Sequence, residues 1–295
     1  MEKKSVVIAL GYFDSVHLGH VKVINKAIET AKNFGVFSAV FTFNGNLKKA
    51  IGKGDEKYIF TPEERKEVLL SVGVDEVFLA PVDKAFISKT KFEFLDYLNE
   101  KYHILGYVSG DDYTFGSDRG TVDDLIFYAK AKNQSVETVS MLLDNGKKIA
   151  TTDLKVYLNQ GLVKKVNSCL ITPFFITGKV YSDRKVGRQY SIPTANVKIV
   201  PEKQPLKKGV YSGAMIIDGK KYKAVINYGN RPTYNLNEDL IEVHAIDFNG
   251  EIYGEIVKIE FYDFIREIKK FLDSNELFAQ IKKDVEFVKG ENCYD

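Results

Sequence analysis

An apolar run, Val6 to Leu10, passes directly into Gly11-Tyr12-Phe13-Asp14-Ser15-Val16-His17-Leu18-Gly19-His20, and a segment of helical period, Val21 to Phe34, leaves it. This succession constrains the fold most: a buried strand hands over through a short loop to a helix N-terminus. The free N–H groups and the positive dipole end of such a helix attract an anion. Gly19 lets the backbone come close, and two imidazoles can donate to phosphate oxygens. Two of the chain's four histidines, His17 and His20, stand at this one junction. Two bland alternatives remain beside phosphate binding. His-x-x-His can present two imidazoles to zinc, although Cys169 and Cys293 are remote and no nearby cluster supplies a third ligand; or the pair serves packing alone.

The pattern that follows is strand, helix, strand, helix. Ile24, Ala27, Ile28 and Ala31 recur at helical spacing before Gly35, a C-cap position, and Val36 to Phe43 reads as a buried strand. Asn44 to Lys57 is rich in glycine and lysine and is expected to be a mobile loop. Thr61-Pro62-Glu63-Glu64 and Thr90-Lys91-Phe92-Glu93 are capping boxes that open helices, the first ending at Gly73. Strands are expected over Val74 to Ala80, Ile104 to Val108 and Val136 to Leu143, with a helix from Val122 to Lys132. Such alternation predicts a parallel sheet with helices on both faces and ligands at the strands' carboxyl ends. Ser109-Gly110-Asp111-Asp112-Tyr113-Thr114-Phe115-Gly116 lies at one such end, where it reads equally as a ring-binding turn or as an acidic surface turn. Asp144-Asn145-Gly146 marks a tight hairpin, and Thr151-Thr152 caps a helix beginning near Asp153.

Past Cys169 the texture changes. Phe174 to Tyr181, Tyr211 to Ile217, Tyr222 to Tyr228, Ile241 to Phe248 and Ile252 to Phe261 read as strands, with turns at Asp218-Gly219 and Asn249-Gly250. A small closed antiparallel barrel follows, with an amphipathic helix carrying Leu277, Phe278, Ile281, Val285 and Val288 against it. The expected domains are therefore residues 1–169 and 170–295.

Gly178 and Gly187 bracket a basic segment with Lys179, Arg184, Lys185 and Arg188, ahead of Pro193-Thr194-Ala195-Asn196. Thr194 and Asn196 point the same way on an extended chain, as shared coordination of a metal–phosphate group requires, or as any polar barrel rim allows. Strand alternation puts Glu242 on one face with His244, which makes Glu242 the best candidate for a general base. It reads equally as a surface carboxylate.

Composition narrows the partners. Apolar residues make up 44% and charged residues 28%, which allows a packed core under a solvated surface. No stretch reaches transmembrane length and no secretory leader is evident, so the cytoplasm is the expected location. The formal net charge of +2 argues against nucleic acid as a partner, and two distant cysteines form no disulfide framework.

The ordered motifs resemble the bacterial two-domain riboflavin kinase/FMN adenylyltransferase family, also called FAD synthetase, from residue 5 to about 290. The residues that carry the resemblance are Gly-x-Phe-Asp-x-Val-His-x-Gly-His (11 to 20), Thr-Pro-Glu-Glu (61 to 64), Gly-x-Asp-Tyr-x-Phe-Gly (110 to 116) and Pro-Thr-Ala-Asn (193 to 196). Gly-Val-Tyr (209 to 211), Asn-x-Gly-x-Arg-Pro-Thr (227 to 233), Glu-Val-His (242 to 244), Asp-Phe-x-Gly (247 to 250), Tyr253-Gly254, Arg266-Glu267 and Lys270-Phe271 continue it.

The resemblance implies a Rossmann-like nucleotidyltransferase that joins FMN to the AMP of ATP, then a barrel that phosphorylates riboflavin with Mg²⁺ and ATP. It implies that His17 and His20, with Gly11, Phe13, Asp14 and Gly19, meet ATP phosphates, together with Thr151, Thr152 and Lys155. On the kinase side it implies Gly178, Arg184 and Gly187 around ATP, Thr194 and Asn196 on the metal, and Glu242 as base. Asp112, Phe115, Gly116, Arg266 and Phe271 are implied for flavin, with riboflavin, FMN, FAD and ATP as ligands.

The chain departs from the family pattern in places. Ala150-Thr151-Thr152-Asp153-Leu154-Lys155 stands where Ser-Ser-Thr-x-Ile-Arg is usual, so a hydroxyl is lost at Ala150 and a lysine replaces a bidentate arginine. Ser15 replaces a glycine, Asn44-Gly45-Asn46 stands where a Pro-His-Pro-like stretch is expected, and Ser191-Ile192 replaces Gly-Phe. Two rival readings follow: a paralogue with riboflavin kinase activity alone, and a flavin- or nucleotide-binding regulator without turnover.

Overall fold

The computed structural model describes residues 3–52, 54, 56–140, 143–144, 147–181, 194–229 and 240–290. The chain divides into two compact units, Met1–Thr151 and Thr152–Asp295.

In the first unit β1 (Ser5–Leu10) is the central strand, and Val6 to Leu10 are at most 1% exposed, as a strand covered on both faces must be. Helix α1 (Leu18–Phe34) follows, then β2 (Phe37–Phe43), the short α2 (Leu47–Ala50), α3 (Pro62–Ser71) and β3 (Glu76–Ala80). After these come α4 (Lys84–Ile87), α5 (Lys91–Lys101), β4 (His103–Gly110), α6 (Val122–Ala131) and β5 (Ser135–Val139). The strands form one parallel sheet in the order β3-β2-β1-β4-β5. Chain direction reverses its march across the sheet between β1 and β4, which opens a crevice at their carboxyl ends. A two-stranded ribbon, β6 (Leu143–Asp144) with β7 (Lys147–Lys148), follows, and its tip, residues 145–146, is outside the described residues.

Local chemistry accounts for the element ends. Thr61 and Thr90 both form complete capping boxes, with Glu64 and Glu93, and Gly35 closes α1 in the left-handed region at φ 65°. Several boundaries differ from expectation; β5, for one, ends at Val139 rather than Leu143. Helix α1 begins at Leu18 rather than Val21, because the His17 ring itself caps it. The segment expected to be wholly loop contains α2, capped by the Asn46 side chain.

The second unit carries α7 (Thr151–Gln160, whose first residue closes the first unit) and α8 (Val163–Asn167), then β8 (Phe175–Tyr181), β9 (Ala195–Lys198), β10 (Gly209–Ile217), β11 (Lys220–Gly229), β12 (Leu240–Ala245), β13 (Ile256–Arg266) and α9 (Ser274–Gly290). The strands close a barrel in the order β10-β11-β12-β9-β8-β13, every pair antiparallel. Strand β9 adds to the expected set; its four residues are too few to show an alternation. On α9, Val288 and Val285 pack with Val210, Val225 and Ile246 of the barrel side.

Compact packing divides the chain after Thr151, the first residue of α7. Leu158 is fully buried and its carbonyl accepts the Lys207 amide at 3.0 Å, while Asn159 Oδ1 accepts from Gln204 at 3.0 Å. Asn167 holds the chain's entry to the barrel by donating to the Phe261 carbonyl and accepting from the Phe174 amide.

Candidate active sites

The loop after β1 builds the first site. A Cβ on Gly11 would lie 2.6 Å from the Phe13 ring, so only glycine lets that ring fold back under the strand end. Phe13 and Val16 both take positive φ, 47° and 45°. Such conformations cost about 1–3 kcal/mol each and persist where surrounding packing over-determines them. The turn delivers His17 to the N-cap of α1, where its Nδ1 accepts the His20 amide at 3.2 Å. A neutral imidazole with Nδ1 accepting carries its proton on Nε2, so His17 presents a donor. The His20 ring stacks on it, centroids 3.7 Å apart and 12° from parallel, and Phe13 meets His20 edge-on at 5.3 Å.

A cavity opens beside this stack, lined by Gly11, Tyr12, Phe13, His17, Gly19 and His20 from the first loop, with Gly110, Asp112 and Tyr113 after β4, and Val139, Ser140 and Ile149. Of the expected phosphate residues, Gly11, Phe13, His17, Gly19 and His20 line this cavity together with Asp112, and Asp14, Thr151, Thr152 and Lys155 do not. Asp14 plays a different part: its buried carboxylate accepts Thr151 Oγ1 at 2.7 Å, and Ser15 Oγ, fully buried, lies 2.9 Å from the same hydroxyl. Since the Thr151 proton goes to Asp14, Ser15 donates to Thr151. The departure at Ser15 thus meets Thr151, the residue after the departure at Ala150. Thr152 is exposed and Lys155 half-buried on α7.

Two residues that the resemblance assigns to flavin have packing roles in the structure. Phe115 is 5% exposed, packed against Phe94 within the core and absent from the cavity lining. Tyr113, stacked on it, faces the cavity instead. Gly116 has φ 72°, and a Cβ there would meet the Lys91 amide nitrogen at 2.4 Å, so this glycine serves the packing of its loop on α5.

In the barrel, cross-strand register builds the second site. Glu242 on β12 is paired with Asn196 on β9 and Asn227 on β11, and Thr194 Oγ1 donates to Glu242 Oε1 at 2.9 Å. The candidate base and both candidate metal-binding residues therefore share one patch. Gly178 is required by close approach: a Cβ would fall 2.4 Å from Val197 Cγ1 and 2.5 Å from the Lys198 carbonyl oxygen. Arg184 and Gly187, and the Asn230 to Thr233 part of the Asn-x-Gly-x-Arg-Pro-Thr stretch, lie outside the described residues. Arg266, which the resemblance assigns to flavin, holds a carboxylate in this structure. Its Nε and Nη2 grip Asp284 of α9, the shortest contact being 2.6 Å, so its fork is committed to holding the helix. Phe271 is half-buried.

Sequence models of two families match the chain: one described as FAD synthetase over residues 1–153, the other as riboflavin kinase over residues 170–291. The bifunctional riboflavin kinase/FMN adenylyltransferase of Bacillus subtilis is 35% identical over 96% of this chain and 91% of its own length. The chain belongs to the bifunctional riboflavin kinase/FMN adenylyltransferase family. The relative from Listeria monocytogenes is 31% identical over 94% of this chain and 90% of its own. A solved structure from Streptococcus pneumoniae, described as a macrolide-efflux protein, superposes with a TM-score of 0.88 at 31% identity, covering 99% of this chain and 96% of that one. Among the described residues no helix is long and apolar enough to cross a membrane. The adenylyltransferase half is the parallel-sheet unit and the kinase half the barrel, and ATP is the co-substrate of both.

Proposed function

We propose that the cavity at the His17–His20 stack is where FMN is adenylylated, and that the Glu242 patch is where riboflavin is phosphorylated, both in the cytoplasm. In the first reaction an FMN phosphate oxygen attacks the α-phosphorus of ATP, and the bond from that phosphorus to the bridging oxygen breaks as pyrophosphate leaves. Negative charge accumulates on the leaving group. The His17 Nε2–H, the stacked His20 ring and the N-terminus of α1 stand at one junction held by the loop, and donors held in advance stabilise such charge. Thr151, held by Asp14 and Ser15, sets a hydroxyl against the same loop.

In the second reaction the terminal ribityl hydroxyl attacks the γ-phosphorus of ATP, its proton passes to Glu242, and ADP leaves. The observation that carries this reading is the Thr194–Glu242 hydrogen bond across from Asn196, which orients the carboxylate beside two oxygen donors. That donor set fits Mg²⁺, a hard cation held by few protein oxygens plus substrate phosphates; among the described residues no cluster of three or more His, Cys, Asp or Glu offers a full cage. Thr194 and Asn196 would hold the ion, which would neutralise phosphate charge when bound.

The test is a chromatographic time course of riboflavin, FMN and FAD, with parallel reactions started from riboflavin and from FMN. Glu242→Gln is expected to stop FMN formation while leaving FMN-to-FAD conversion intact, and His20→Ala to do the reverse. Equal loss of both activities in either variant refutes the division of labour. FMN that is never converted by the wild-type chain supports the kinase-only reading instead.

A further inference from the structure

Arg65 lies in the first turn of α3, just past the Thr61 capping box, and is 0% exposed. A wholly buried guanidinium is costly unless its charge and donors are met. Among the described residues no carboxylate lies within ion-pair distance of it, and its Nε has no hydrogen-bond partner. Nη1 donates to the Tyr12 carbonyl at 3.4 Å, Nη2 donates to the Phe43 carbonyl, and the guanidinium carbon sits 5.3 Å from the Tyr12 ring centroid. Thr42 Oγ1 donates to the same Tyr12 carbonyl at 2.6 Å.

These partners are chosen by position. Tyr12 belongs to the loop after β1, and Phe43 is the last residue of β2. The fork therefore ties two adjacent carboxyl edges of the sheet at the point where the backbone enters the strained Phe13 turn. Phe13 in turn abuts His20, which stacks on His17. An apolar residue would fill this space at lower cost. A lysine would reach one carbonyl, not two, because only the guanidinium presents donors in a rigid fork.

We propose that Arg65 is a positioning residue for the adenylyl transfer: from beneath the loop it sets where Tyr12, Phe13 and the two histidines meet the ATP phosphates. The proposal rests on the reading that the triphosphate binds at the His17–His20 stack. Arg65 does not line the cavity, so it acts through Tyr12.

The test measures FAD formation from FMN in the full chain, comparing wild type with Arg65→Lys and Arg65→Gln and fitting KM for ATP and for FMN separately from kcat. A merely structural loss lowers the active fraction and leaves KM unchanged. Mispositioning is expected to raise the ATP KM by about tenfold for Gln and less for Lys, inside the roughly hundredfold that a 1 Å misplacement can cost. The FMN KM should move by less than the ATP KM. An unchanged ATP KM in both variants overturns the proposal whatever happens to kcat, as does an equal rise for FMN. If the Gln variant does not fold, the ATP KM of Arg65→Lys decides by the same criterion. His20→Ala run alongside separates the two readings. If it leaves ATP kinetics untouched, the phosphate site itself is misplaced; if it impairs them while the Arg65 variants do not, only the role of Arg65 fails.

Discussion

Asp284→Ala is expected to be the most damaging single truncation at the junction of α9 and the barrel. Arg266 and Asp284 have side chains only 14% and 4% exposed, and three N–O contacts of 3.1, 3.2 and 2.6 Å join them. Gln280 adds a donor to Asp284 Oδ1 at 2.9 Å. Removing the carboxylate leaves Arg266 in place with only the Glu267 carbonyl among its described partners. Breaking a buried pair from one side costs about 3–5 kcal/mol, because the remaining charge is stranded. For a unit spanning Thr152–Asp295 each kcal/mol corresponds to about 2–4 °C, so a fall of about 6–20 °C in the barrel's unfolding temperature is expected by calorimetry. The double variant Asp284→Ala/Arg266→Met removes the stranded charge and should recover a large part of that loss. A single-variant loss below about 1 kcal/mol, or losses that simply add in the double variant, would refute the reasoning. A raised riboflavin KM at unchanged stability would return Arg266 to the flavin.

Two further outcomes follow from packing and protonation. Gly178→Ala places a methyl group against Val197 and the Lys198 carbonyl, and should destabilise the barrel by about 1–3 kcal/mol in urea titrations while FMN-to-FAD conversion persists; wild-type stability would show that β8 and β9 can part without cost. Asp75 is held below its ordinary pKa of 3.8 by the Ser38 hydroxyl and amide, which donate to it at 2.6 and 2.8 Å. A depressed carboxyl stabilises the fold above its unfolded pKa and loses that contribution as pH falls through the folded value. The stability gap between wild type and Ser38→Ala should therefore be largest above pH 3.8 and close on further acidification, and a gap independent of pH contradicts the assignment.

Sequence alone determined whatever depends on near neighbours. The capping boxes at Thr61 and Thr90, the left-handed cap at Gly35, the alternation of strands and helices, and the hairpin turn at Asp218-Gly219 all follow from interactions a few residues apart, whereas Asn249-Gly250 lies between strands that do not pair. The order of the motifs carried the family, and with it both reactions. What sequence could not separate were positions with the same local pattern and different surroundings. Phe115 and Tyr113 alternate along one short loop and both pack on the core, yet only Tyr113 also lines the cavity. Arg266 has the chemistry of a ligand group and is consumed by a carboxylate on the last helix.

Tertiary structure decided every pairing across long separations. Ser15 meets Thr151 across 136 positions, Thr194 meets Glu242 across 48, and Arg65 reaches a carbonyl 53 positions earlier. Arg65 left no mark in the pattern beyond a charged residue on a capped helix, the commonest of surface features, because only burial distinguishes it. Local periodicity records which face a residue takes. Which partner waits on that face depends on strand order and barrel closure, and those are set by the packing of the whole chain.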